Sequence, residues 1–151
     1  KEELTPATLY WSFYVFEALE KAGLGDEYLN HMQVWESVMD LGVTTWPESG
    51  PNSRSECHAW GASPNYHFLK IIGGIIPAAP GFKKVWIQPH FGDGDALKIH
   101  FPHHAGTIEL DLQKDNRKLK GKVVLPENIE AVIIWNGQEM QLDQIINEIN
   151  L

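Results

Sequence analysis

One stretch of the chain collects side chains that can do chemistry. Between Thr44 and Tyr66 lie Trp46, Glu48, Arg54, Glu56, Cys57, His58 and Trp60, within a segment rich in Thr, Ser, Pro and Gly. A helix-to-helix connection needs none of these expensive residues. Glu48 follows Trp46 and Pro47, and a neighbouring indole shields a carboxylate from water, as a general base requires. Arg54 is suited to a sugar hydroxyl or a partner carboxylate. His58 and Trp60 can supply a hydrogen bond and a stacking face for a sugar ring. Plainer readings stand beside these: Glu48 as a solvated loop carboxylate, Arg54 and Glu56 as a local ion pair worth little, and Trp60 as a core or interdomain ring.

Other chemistries find weaker support. The seven histidines show no His-Glu-x-x-His spacing, and one cysteine excludes a cysteine-rich zinc site. Strand alternation would put His103 and His104 on opposite faces. Cys57 and His58 are adjacent, whereas catalytic dyads normally meet through the fold. Gly73-Gly74 and Gly92-Asp93-Gly94 lack the spacing of a phosphate-binding loop. No metal or other cofactor is expected.

Composition narrows the partners. The 151 residues carry a formal charge of -8, and residues 1–60 hold three basic and ten acidic groups against nine and ten in the remainder. This balance argues against binding a nucleic-acid backbone or an anionic membrane surface. Four of the six tryptophans also fall in the acidic part, and carboxylates among aromatic rings suit a neutral polyol or sugar. No apolar run approaches the roughly 18 residues of a membrane helix, so no membrane insertion is expected. The chain opens at Lys1, directly before a helix signal, and reads as a piece of a longer protein.

The elements that must position this cluster follow from periodicity. Thr5 and Pro6 read as cap and first residue of a helix with Leu9, Phe13, Phe16 and Leu19 on its buried side, ending at Ala22-Gly23. A second long helix, with Tyr28, Leu29, Met32, Trp35, Val38 and Met39 inward, ends at Gly42. Residues 43–57, including Pro51 and Asn52, form a loop. A third helix takes over between His58 and Ser63 and runs to Gly73-Gly74, before Pro77 and Pro80 end helical structure. After Gly81 the period becomes 2, giving five or six antiparallel strands over residues 83–142, with Trp86 and Trp135 as core and Lys118, Lys120 and Lys122 facing solvent, a pattern that also suits a protected edge strand. Residues 142–151 are open between strand, helix and tail. The fold class is α+β by segments: helical hairpins, then an antiparallel sheet domain.

Three stretches carry a resemblance. Val43–Glu48 (VTTWPE), Ser53–Pro64 (SRSECHAWGASP) and Gly74–Val85 (GIIPAAPGFKKV) are similar, in this order and spacing, to the C-terminal part of bacterial alpha-L-rhamnosidases, glycoside hydrolase family 78. The likeness extends over essentially the whole chain. It implies that residues 1–81 are late helices of an (α/α)6 catalytic barrel, with loop 43–57 at the active site. Residues 82–151 would be a C-terminal antiparallel β-sandwich. It further implies that Glu48 is the general base of an inverting hydrolysis of terminal alpha-L-rhamnosyl residues, and that Trp46, Arg54, His58 and Trp60 contact the substrate. Pro47 interrupts the family's usual Trp-Glu, as in some branches. The general acid would sit on an upstream barrel segment, so this stretch alone would be inactive. Helices without their barrel neighbours would expose apolar faces and favour homo-oligomers. The partners implied are a rhamnose-containing carbohydrate and that barrel segment. The compartment stays open: a soluble protein in the bacterial cytoplasm, periplasm or medium. The competing readings are a non-catalytic carbohydrate-binding or structural module, and a degenerate relative of the glycosidase.

Overall fold

The computed structural model describes residues 5–50 and 53–151. The chain start at Lys1 and the loop residues Pro51 and Asn52 singled out above lie outside the described residues. The chain divides into two compact units, the first ending at His67 and the second spanning Phe68–Leu151.

In the first unit, α1 spans Leu9–Lys21. Its cap is Thr8 rather than Thr5: the Thr8 hydroxyl accepts from the Trp11 amide at 3.3 Å, and the Ser12 hydroxyl donates to the Thr8 carbonyl at 2.9 Å. Thr8 sits one turn later and satisfies an amide that the helix itself leaves unpaired. The helix closes as expected at Ala22, with Gly23 at φ +71° and the Leu24 amide bonded to the Leu19 carbonyl. Such a left-handed glycine ends a helix at no steric cost.

The second helical stretch is not one long helix. A 3-10 segment, Gly25–His31, precedes a seven-residue α2, Gln33–Met39. Gly25, Asp26, Asn30 and His31 are weak helix formers, which explains the tighter geometry of the first part. Tyr28, Met32, Trp35 and Val38 are buried as their spacing required, whereas Leu29 and Met39 are exposed. The expected third helix is likewise composite: a 3-10 turn at Ala59–Ala62, α3 at Ser63–His67, then a π turn at Phe68–Ile72 that opens the second unit.

Aromatic rings fill the first unit. Phe16 meets Tyr28 edge-on at 4.8 Å and Trp35 at 5.7 Å, and the buried His67 ring lies 5.1 Å from Phe16. Three polar groups in this core find partners. Tyr28 donates to the Pro64 carbonyl at 3.3 Å, and its burial pushes the phenol pKa well above its ordinary value. Trp35 Nε1 donates to the Gly61 carbonyl at 2.7 Å, and the His67 ring nitrogens face the Ser63 carbonyl at 3.0 Å and a Glu17 carboxylate oxygen at 3.3 Å.

The second unit holds two four-stranded sheets, one ordered β1-β2-β6-β7 and the other β3-β4-β5-β8. The strands are β1 Ile75–Pro77, β2 Lys84–Ile87, β3 Ala96–His103, β4 Gly106–Asp115, β5 Lys118–Val124, β6 Glu130–Trp135, β7 Gln138–Leu142 and β8 Ile146–Asn150. Six of them fall within residues 83–142, and the terminal stretch forms the strand β8. The expectation of a wholly antiparallel arrangement fails at one pair: β2 and β6 run parallel, Lys84 opposite Glu130 through Ile87 opposite Ile133. Between them the chain leaves to build β3, β4 and β5 of the other sheet and returns in the same direction, a crossover that parallel neighbours require.

Side chains from both sheets share one buried apolar cluster, including Val85, Ile87 and Ile133 from one and Ile108, Leu110, Leu112, Leu119 and Val123 from the other. β5 is interior, not an edge. Lys118 and Lys122 stand opposite carboxylates, whereas Lys120 faces Gln113 and Asn150, and Lys98, Asp111, Lys122 and Glu148 form a row of alternating charge across four strands. Within that row the Lys98 ammonium lies 2.9 Å from Asp111. Trp135 packs edge-on to Phe91 at 5.6 Å and donates to the Arg117 carbonyl at 2.7 Å. Trp86, expected in the core, is 45 % exposed. It alternates with the buried Val85 and Ile87, so period 2 itself puts it on the outer face. His103 and His104 do not lie across a sheet either: the strand ends at His103, and the two rings lie 4.1 Å apart. Among the described residues, no helix is long and apolar enough to cross a membrane, and no three His, Cys, Asp or Glu side chains gather as a metal site would require.

Two stability predictions follow from these contacts. Gly121 sits at φ +138°, and a Cβ there would lie 2.1 Å from the Asp111 carbonyl oxygen of the neighbouring strand. Gly121→Ala is expected to destabilise the sheet unit by about 2 kcal/mol or more, read as a lower denaturation midpoint. Trp35→Phe keeps most of the ring but leaves the Gly61 carbonyl without its donor. A loss of about 1–3 kcal/mol in urea unfolding is expected.

Candidate functional site

Among the described residues, loop 43–58 is irregular in conformation yet closed on itself. The His58 amide donates to the Trp46 carbonyl at 2.8 Å, and the Glu48 amide donates to the Ser55 carbonyl at 2.9 Å. The Thr45 hydroxyl donates to the Glu56 carbonyl. The Ser49 amide adds a bond to the Ser53 hydroxyl at 3.2 Å. Thr and Ser hydroxyls thus satisfy backbone groups that no helix or strand takes up. The loop doubles back so that residues 45–49 face residues 53–58.

Its attachment depends on Gly61. A Cβ at that position would stand 2.5 Å from Trp46 Cβ and 3.2 Å from the Pro47 carbonyl oxygen. Only a glycine lets the Trp46-Pro47 backbone approach this closely. The same residue's carbonyl receives the Trp35 indole from α2. The backbone that carries Glu48 is therefore packed against the 3-10 turn at Ala59–Ala62 and, through it, against the helical core.

Of the five residues singled out in the sequence, the structure brings Glu48 and Arg54 into direct contact. Arg54 Nη2 lies 2.7 Å from Glu48 Oε1, and Arg54 Nε lies 3.2 Å from Oε2. The partner of Arg54 is thus Glu48 rather than Glu56, because the reversal of the loop brings 48 and 54 together. The Glu48 side chain is 26 % exposed and that of Arg54 is 84 % exposed. Trp46 and His58 are joined through their backbones. His58 and Trp60 flank Tyr10 of α1, with ring centroids 5.9 Å and 5.0 Å from it.

Tyr10 and Tyr14 were not among the sequence candidates. Tyr10 is half-buried and Tyr14 exposed, and Tyr14 lies nearly parallel to Trp60, 6.4 Å away at 22°. Tyr14, as hydrogen-bond partner and neighbouring charge, holds the Tyr10 phenol above its ordinary pKa. Their signal was available: Tyr10-Trp11 and Tyr14 crowd the solvent side of an amphipathic helix, where large aromatics have no packing role. Trp60 itself is 43 % exposed, so the reading of it as a core ring is set aside.

Two shallow hollows flank this arrangement. One, of about 250 Å³, is lined by Met39, Val43, Thr44, Thr45 and Trp46. The other, of about 320 Å³, is lined by Phe13, Ala59, Trp60, Ala62 and Ser63. Both fall at or below the low end of ligand clefts, roughly 300–1,000 Å³. Neither includes Glu48. In chemical terms the loop presents a carboxylate paired with a guanidinium, and its far end leads into His58 and Trp60, whose rings pack on Tyr10.

Comparison with known proteins assigns the chain to a family. The sequence model of the bacterial alpha-L-rhamnosidase C-terminal domain matches residues 74–149. An alpha-L-rhamnosidase of Formosa agariphila is 26 % identical over 144 residues, covering 85 % of this chain and 15 % of that protein. The crystal structure of a family GH78 rhamnosidase of Bacillus sp. GL1 superposes with a TM-score of 0.76 at 30 % identity, covering 83 % of this chain and 15 % of that one. The alpha-L-rhamnosidase of Aspergillus terreus superposes at 0.71 with 21 % identity over 92 % of this chain and 18 % of its own, a likeness of fold. The chain thus spans about 15 % of the length of the first two relatives. It belongs to the bacterial alpha-L-rhamnosidase family, glycoside hydrolase family 78, and carries that family's C-terminal domain.

Proposed function

We propose that this chain supplies the water-activating half of an inverting glycosidase acting on terminal alpha-L-rhamnosyl residues of glycosides or polysaccharides. Residues 1–81 are read as late helices of an (α/α)6 barrel with its active-site loop 43–57. Residues 82–151 are read as the C-terminal β-sandwich. The observation that carries the reading is Glu48 itself: a carboxylate forked by Arg54 on a loop closed by the Glu48–Ser55 and Trp46–His58 backbone bonds, in a chain of this family.

The chemistry is that of two carboxylates. Glu48, ionised, takes a proton from a water molecule as the water oxygen attacks the anomeric carbon. A carboxylic acid on the opposite side, about 6.5–9.5 Å away, gives its proton to the departing oxygen as the glycosidic bond breaks. The sugar leaves with inverted configuration. Trp46, His58 and Trp60 form the walls against which the ring rests, with Arg54 beside the base. The acid is assigned to a barrel segment outside this sequence, so residues 1–151 alone are expected to be inactive. No metal is needed for the bond cleavage.

The test compares the full-length protein with its Glu48→Gln form on p-nitrophenyl alpha-L-rhamnoside. Glu48→Gln is expected to lower kcat by about 10²–10⁴-fold, the usual worth of a general base. Added azide, a nucleophile that needs no deprotonation, is expected to restore turnover and give the glycosyl azide of inverted configuration. Wild-type activity in Glu48→Gln would refute the base assignment. Rhamnoside binding without turnover in the unmodified protein would favour the non-catalytic or degenerate reading instead.

A further inference from the structure

Both oxygens of the Glu48 carboxylate are held by a single guanidinium, through Nη2 at 2.7 Å and Nε at 3.2 Å. Such a fork fixes the plane of a carboxylate as well as its position, which a point charge cannot do. The fork is not what closes the loop. Backbone bonds from Glu48 to Ser55 and from His58 to Trp46, with the Ser49–Ser53 contact, already do so. Nor is it a large source of stability, because the arginine side chain is 84 % exposed and ion pairs so open to water contribute little. What the fork does supply is orientation of the Glu48 carboxylate.

We infer that Arg54 is a positioning residue for Glu48: it sets the carboxylate's plane for proton abstraction from water and does not itself touch the sugar. This rests on Glu48 being the base. An ionised carboxylate offers about four acceptor positions. The guanidinium occupies two of them, leaving others to receive the water proton. The arrangement assigns Arg54 a role in the rate of the chemical step rather than in substrate affinity.

The experiment is steady-state kinetics of the full-length protein on an aryl alpha-L-rhamnoside. Arg54→Gln is expected to lower kcat about 10–100-fold, the cost of a carboxylate displaced by about an ångström, with KM changed less than about twofold. Arg54→Lys should recover part of the loss, because an ammonium can hold one oxygen but not the plane of both. In the Glu48→Gln background with azide as nucleophile, adding Arg54→Gln should change the rate no further. The inference is overturned by a raised KM at unchanged kcat, which would put Arg54 on the sugar, or by unchanged kinetics. It is also overturned if the Arg54→Gln effect persists in the azide reaction, or if Arg54→Gln and Arg54→Lys both unfold at markedly lower temperature than wild type. Wild-type activity in Glu48→Gln would remove the base reading and this inference with it. That outcome is distinct from failure of the inference alone, in which Glu48→Gln is inactive and Arg54→Gln is not.

Discussion

The absence of a side chain at Gly61 is the constraint on which the candidate site depends. Trp46 Cβ occupies the space that a Cβ at residue 61 would need, and the Trp35 indole closes on the carbonyl of that same glycine. Loop 43–57 has no helix or strand among its described residues, and such backbone ordinarily costs ordering entropy residue by residue. Here its two ends are bonded to each other between Trp46 and His58, and the pair is pressed onto the 3-10 turn that leads into α3. Irregular backbone held this way can keep a side chain in one place, as functional loops on rigid scaffolds do.

The two units use charge differently. In the sheet unit, alternating strands put apolar residues in one shared core, and the outward positions carry charges that neutralise one another across strands, Lys98 to Asp111 and Lys122 to Glu148. Such a surface is well hydrated and electrically balanced, with net charge near zero over residues 61–151. The first sixty residues hold ten carboxylates and three basic groups. One of those three, Arg54, is spent on Glu48.

Legibility in the sequence followed the range of the physics involved. Period-2 alternation is local, and it marked β2 through β5, while β6 showed as a dense apolar run and β7 followed the Asn136-Gly137 turn; the same alternation, applied to Trp86, would have put it outward beside Val85 and Ile87. Which strand pairs with which is not local, so the parallel β2–β6 pair could not be read from either segment alone. β1 was hidden by its length of three residues and by Pro77 at its end. Two threonines competed for the cap of α1, and the difference between Thr5 and Thr8 is a single hydrogen bond to the Trp11 amide. At the loop, residue types identified Trp46, Glu48, Arg54, His58 and Trp60 as candidates. The Glu48–Arg54 contact depends on the loop's reversal, which Ser and Thr hydroxyls create and no periodicity encodes.

The locality of these contacts bears on how an inverting site would be assembled. Glu48 is positioned by residues 53–58 and by packing on Gly61, all within fourteen positions of chain. Its orientation on the loop is therefore set largely by neighbours in sequence, with the Trp35 indole holding the turn they pack on. The distance from base to acid is a different quantity, and inversion depends on it because a water molecule must fit between the two. On the reading advanced above, that distance is fixed by how α1, α2 and α3 dock against the remaining barrel. Exposed aromatics on α1, Trp11 and Tyr14 among them, together with Trp60 and Tyr66, show how much apolar surface the helical unit leaves uncovered by its own residues. Local bonds would thus aim the base, while burial of apolar area between segments would set its reach to the acid. Substitutions in the two regions should then separate: those within the loop act on the orientation of one group, and those on the helix faces act on the spacing of the pair.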